Sequence, residues 1–142
     1  MLRERYNDSN RLITDENELQ LSDEAEVMVY REGKWDDEIV VYLDGQTDKF
    51  EELKPFIVFV AENLCKMDYI AQKYDRDSKF VDHYTVAYIR LDMPDKIKLT
   101  YYGMVENTEF DVVFQYMDGE FILKSFGMIK DIPYDWDKTR AL

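Results

Sequence analysis

Between positions 53 and 74, apolar side chains recur at Leu53, Ile57, Val60, Leu64, Met67, Ala71 and Tyr74. The steps alternate between four and three residues, so all seven fall on one stripe of an α-helix. Phe56, Phe59 and Ile70 widen that stripe. A helix with so broad an apolar face must bury it against another layer, and the flanking sequence supplies strands. At its start, Thr47 or Asp48 can serve as the cap, with Glu51 three residues after Asp48 in the capping-box position. Pro55 lacks an N–H and disfavours a helical Lys54, which predicts a short kinked first turn. The Asp75-Arg76-Asp77-Ser78 cluster ends the helix.

Before the helix, Val27-Met28-Val29-Tyr30 and Ile39-Val40-Val41-Tyr42-Leu43 are β-branched and aromatic, with a turn near Gly33. After it, Tyr84 to Leu91 alternates, Met93-Pro94-Asp95-Lys96 supplies a turn, and Lys96 to Tyr102 alternates again. Ile97, Leu99 and Tyr101 share one face there, and Lys96, Lys98 and Thr100 the other. Phe110, Val112, Phe114 and Tyr116 then lead to Asp118-Gly119, a two-residue type I′ hairpin signal. That turn predicts the pairs Tyr116–Phe121, Phe114–Leu123 and Val112–Ser125 on one face. Gln115–Ile122, Val113–Lys124 and Asp111–Phe126 fall on the other. The expected fold is α+β, with a predominantly antiparallel sheet. Its order is a β-hairpin, one long helix and a four-stranded meander, with the helix packed on one sheet face.

Composition sets the function classes. The chain has 142 residues, of which 31 are Asp or Glu and 18 Lys or Arg, for a net charge of -13. The length suits a single domain over 1–142. Within it, 1–24 reads as a loosely ordered lead-in, 25–132 as the core and 133–142 as a C-terminal tail. At 46% hydrophobic and 15% aromatic, the chain is too rich in large apolar groups for an acidic disordered tail. The acidity argues against nucleic acid and anionic membranes as partners, since both demand Lys and Arg. One cysteine, Cys65, precludes an internal disulfide and fits a reducing compartment. No apolar run follows the basic residues at the start, and the longest apolar run is Pro55 to Ala61. A cytoplasmic protein is the expectation.

The charge is unevenly placed. Residues 1–52 carry 16 acids and 6 bases, net -10, and residues 53–142 carry 15 and 12, net -3. Self-repulsion of this kind costs stability without an evident structural return.

Catalytic patterns are weak. His83 lies between Asp82 and Tyr84, but neighbouring strand residues point to opposite faces, and no nucleophile elbow accompanies it. Cys65 sits inside the helix without an electropositive niche. Asp36-Asp37-Glu38 lacks the rest of a calcium loop, one His and one Cys cannot build a standard zinc site, and no phosphate-binding glycine loop is present. Nothing singles out a carboxylate pair for hydrolysis. The expectation is a non-enzyme without metal or cofactor.

What remains are aromatics set among carboxylates. Glu32, Asp36, Asp37 and Glu38 surround Trp35, and Asp135 and Asp137 flank Trp136 after Tyr134. Trp and Tyr anchor interfaces, and acids steer a basic partner toward them. The candidate partner-binding residues are therefore Glu32, Trp35, Asp36, Asp37, Glu38, Tyr134, Asp135 and Trp136. Two structural roles stand beside this reading: Trp35 covering the core at a strand start, and Pro133–Trp136 pinning the C-terminus onto the sheet.

The segment Glu62-Asn63-Leu64-Cys65-Lys66-Met67-Asp68-Tyr69-Ile70-Ala71 resembles a helix of small uncharacterised bacterial α+β domains found among polymorphic-toxin immunity proteins. Val86–Leu91 and Asn107–Phe114 extend the resemblance, which covers roughly residues 25–127 by element order. It implies a cytoplasmic inhibitor of a basic partner such as a toxin, and it carries over no catalytic residues. The alternative is a non-catalytic housekeeping domain that homodimerises through its exposed sheet face. A third reading, a hydrolase with an unrecognised carboxylate pair, requires an acid-lined cleft.

Overall fold

The computed structural model describes residues 15–31, 37–43, 45–74, 84–92, 95–103 and 108–131. Their order is a 3₁₀ turn at Glu16–Glu18, β1 (Glu26–Arg31), β2 (Asp37–Tyr42) and a 3₁₀ turn at Thr47–Lys49. Then come α1 (Phe50–Glu62), α2 (Leu64–Tyr74), β3 (Tyr84–Asp92), β4 (Lys96–Gly103), β5 (Thr108–Met117) and β6 (Glu120–Asp131). The strands form one six-stranded sheet in the order β1-β2-β3-β4-β5-β6. All neighbouring pairs are antiparallel except β2–β3, which is parallel, pairing Val41 with Ile89 and Tyr42 with Arg90. Parallel neighbours need a crossover, and the two helices provide it.

The single helix expected from the apolar stripe is two helices. At Asn63 the backbone turns to φ -105° and ψ 17°. The Asn63 side-chain amide donates to the Phe59 carbonyl at 2.8 Å, and its own N–H is shared between Phe59 and Val60. A side chain that competes for backbone partners within its own turn breaks the ladder there. The stripe survives the break over six of its seven positions: Leu53, Ile57, Val60, Leu64, Met67 and Ala71 are all buried, whereas Tyr74 at the end of α2 is exposed. The expected capping box does not form, since α1 starts at Phe50 and no side chain caps it. Gln46 instead reaches across to donate to the Leu91 carbonyl at 3.1 Å. Pro55 lies inside α1 on its exposed side, so Lys54 is helical after all.

The core lies between these helices and one sheet face. Val27, Val29, Ile39, Val41, Ile89, Leu91, Ile97, Leu99, Tyr101, Val112 and Phe114 fill it at alternate strand positions. Leu19 is buried with them, and Leu21 bridges to Val27. Rings organise the far end. Phe110 meets Tyr84, Tyr101 and Phe126 at centroid distances of 4.9, 5.6 and 5.1 Å, and Phe126 stacks on Tyr74 of α2 at 5.2 Å.

The β5–β6 hairpin corrects the expected register. Asp118 and Gly119 have φ of 51° and 80°, as a type I′ turn requires. Tyr116–Phe121, Gln115–Ile122 and Phe114–Leu123 pair as expected. Beyond Leu123 the ladder shifts, so that Val113 faces Ser125 and Val112 faces Phe126. Lys124 is the extra residue, and this bulge moves Phe126 from the outer face to the core face. A second shift follows before Phe110–Ile129, where Gly127 approaches the Asp111 backbone closely. A Cβ at Gly127 would lie 2.7 Å from the Asp111 carbonyl oxygen.

Candidate functional site

Of the residues expected to bind a partner, Asp37 and Glu38 lie at the start of β2, in register with Arg31 and Tyr30 of β1. Glu38 is exposed. Glu32, Trp35, Asp36, Tyr134, Asp135 and Trp136 lie outside the described residues, as does His83.

The acids that the structure does bring together precede β1. Ser22 organises them. Its hydroxyl accepts from the N–H groups of Glu24 and Glu26 at 3.2 and 3.1 Å, and its own N–H donates to the Glu26 carbonyl at 2.9 Å. Ala25 closes this turn with φ 64°, a conformation that non-glycine residues rarely take. Asp23 and Glu24 are thereby held exposed at the tip. Glu26 returns into β1 opposite Tyr42. Partial desolvation beside β2, with Glu24 next to it, raises the Glu26 pKa above 4.5, while a hydrogen bond with Tyr42 pulls the other way. Desolvation and the Glu26 charge raise Tyr42 above 10.0 in turn, and Arg90 opposes them. Asp15 and Glu18 are exposed on the preceding turn. The sequence reading missed this group because its organiser is a serine–backbone turn without a distinctive pattern.

The sheet face away from the helices is polar. Arg90 lies over the rings of Tyr42 and Tyr88, at 4.8 and 5.0 Å from their centroids, a cation–π arrangement. The two rings meet edge to face at 5.2 Å. Tyr88 donates to Glu109 at 3.4 Å, Thr100 to Asp111 at 2.7 Å and Gln115 to Asp95 at 2.7 Å. On the same face, Lys96, Lys98, Val113, Gln115, Lys124 and Ser125 line a depression of about 460 Å³.

Two ionisable side chains of α2 are buried. Cys65 is buried, as the helix reading expects of a structural cysteine. Asp68, only 1% exposed, accepts from the Tyr101 hydroxyl and from the Gln72 amide, both at 2.7 Å. That network ties α2 to β4 and offers no open nucleophile or base. Among the described residues, no group of three His, Cys, Asp or Glu is placed to hold a metal, and no helix is long and apolar enough to cross a membrane.

Compared with known proteins, the chain matches no protein-family model, no curated protein and no solved structure.

Proposed function

We propose that this chain is an acidic protein-binding module, a cytoplasmic inhibitor of the immunity type that neutralises a basic partner such as a toxin. The observation that carries this reading is the net charge of -10 over residues 1–52. Within that stretch, Asp15, Glu18, Asp23, Glu24 and Glu38 are exposed. A cationic partner complements this excess of negative charge. A partner whose own site attracts phosphate is drawn to fixed carboxylates, and such attraction raises the association rate more than it slows dissociation. The residues proposed to contact the partner are Glu32, Trp35, Asp36, Asp37, Glu38, Tyr134, Asp135 and Trp136.

The test is association of the chain with the product of the adjacent gene, measured in low and high salt. Wild type is expected to associate at least about tenfold faster in low salt, and the triple variant Glu18→Lys, Asp23→Lys, Glu24→Lys to lose that dependence. A neighbouring product that binds no better than an unrelated basic protein would overturn the reading.

A further inference from the structure

We propose that the Lys96–Lys98–Lys124 depression on the open sheet face is a binding site for the phosphate group of a small molecule. Every charged side chain that lines it is cationic, and Ser125 adds a neutral donor beside Val113 and Gln115, whose amide also holds Asp95 at 2.7 Å. Its volume of about 460 Å³ falls within the range of small-molecule sites.

The backbone builds this convergence. Lys96 and Lys98 are two residues apart on β4 and so share a face, in register with Gln115 and Val113 of β5. The extra residue at Lys124 then sets Lys124 and Ser125 together opposite Val113, and bulges commonly re-aim side chains in this way. Lys96, Lys98 and Lys124 set three positive charges around one depression, and a multiply charged anion complements them. Protection against edge-to-edge pairing does not account for Lys96 and Lys98, because β4 lies inside the sheet with β3 and β5 on either side; only Lys124 stands on an edge strand, β6. The net charge of -13 does not forbid the site, since charges beyond about 8 Å are largely screened at physiological salt. A phosphate group suits the trio: it offers three acceptor oxygens and up to two charges to ammonium groups that bind as point charges.

Inorganic pyrophosphate and adenosine monophosphate, each titrated into ¹⁵N-labelled protein at constant ionic strength, test the site. Saturable amide shifts at Lys98, Val113 and Ser125 are expected with at least one of them. Saturation by pyrophosphate alone assigns the site to the free anion, and tighter binding of the monophosphate assigns it to an ester. Lys98→Gln and Lys124→Gln should each weaken binding about tenfold. Lys98→Arg should retain it, and Lys66→Gln on the exposed side of α2 should leave it unchanged. Three outcomes overturn the proposal: no saturation by either probe, equal weakening by Lys66→Gln, or saturation by an oligoglutamate peptide but by neither phosphate.

Discussion

Replacing Tyr101 with Phe removes one oxygen atom from the buried contact between α2 and β4. Tyr101 is 0% and Asp68 1% exposed, so water cannot readily replace the lost donor. The hydroxyl donates to Asp68 Oδ1 at 2.7 Å, while Gln72 continues to serve Oδ2. Leaving a buried acceptor short of such a partner costs about 1–3 kcal/mol. The ring itself is unchanged, so its stacking on Phe110 at 5.6 Å and its apolar burial persist. The expected loss is therefore about 2 kcal/mol, all of it polar. For a chain of this size that lowers Tm by roughly 5–10 °C.

Urea unfolding followed by tyrosine and tryptophan fluorescence gives the cleaner measurement. The midpoint should fall while the slope stays constant, because the surface exposed on unfolding is the same. The double variant with Asp68→Asn should lose less than the two single losses added together, since both act on one bond. A Tyr101→Phe protein within about 0.5 kcal/mol of wild type would refute the claim that this network holds the helix to the sheet.

Other expectations test the bulge, the acidic turn and the open face. Gly127→Ala should destabilise by about 1–3 kcal/mol in urea, because the new methyl would sit 2.7 Å from the Asp111 carbonyl oxygen. A neutral result would mean that β6 does not bulge there. The raised pKa of Glu26 means the folded state holds more protons than the unfolded one between the two pKa values. Stability from this group is therefore greatest below its unfolded pKa and falls as pH rises through the raised one. Glu26→Gln should thus match wild type in acid and melt higher near neutral pH; a Tm difference that does not vary with pH would contradict this. Arg90→Ala should cost about 0.5–1 kcal/mol for the loss of its stacking over Tyr42 and Tyr88, measured by urea unfolding, with no change counting against the contact.

Which parts of the fold were legible depends on whether a residue's partner is fixed by spacing alone. The stripe from Leu53 to Ala71 follows from 3.6-residue geometry, so its burial could be read off directly. The break at Asn63 could not, because it turns on one side chain choosing a carbonyl four residues back over solvent. Asp118-Gly119 set the first three β5–β6 pairs, since a two-residue turn leaves no freedom in register near it. Farther along, strict alternation placed Phe126 outside, yet the shift at Lys124 turns its ring toward Phe110 and Tyr74. That one shift has two consequences. It completes the aromatic end of the core, and it sets Lys124 beside Ser125 on the open face, where the lysines of β4 already stand. The candidate binding depression is thus a by-product of how a core aromatic finds its neighbours. Alternation alone places Lys96 and Lys98 on a common face, but it cannot supply the bulge that brings Lys124 and Ser125 together to face them.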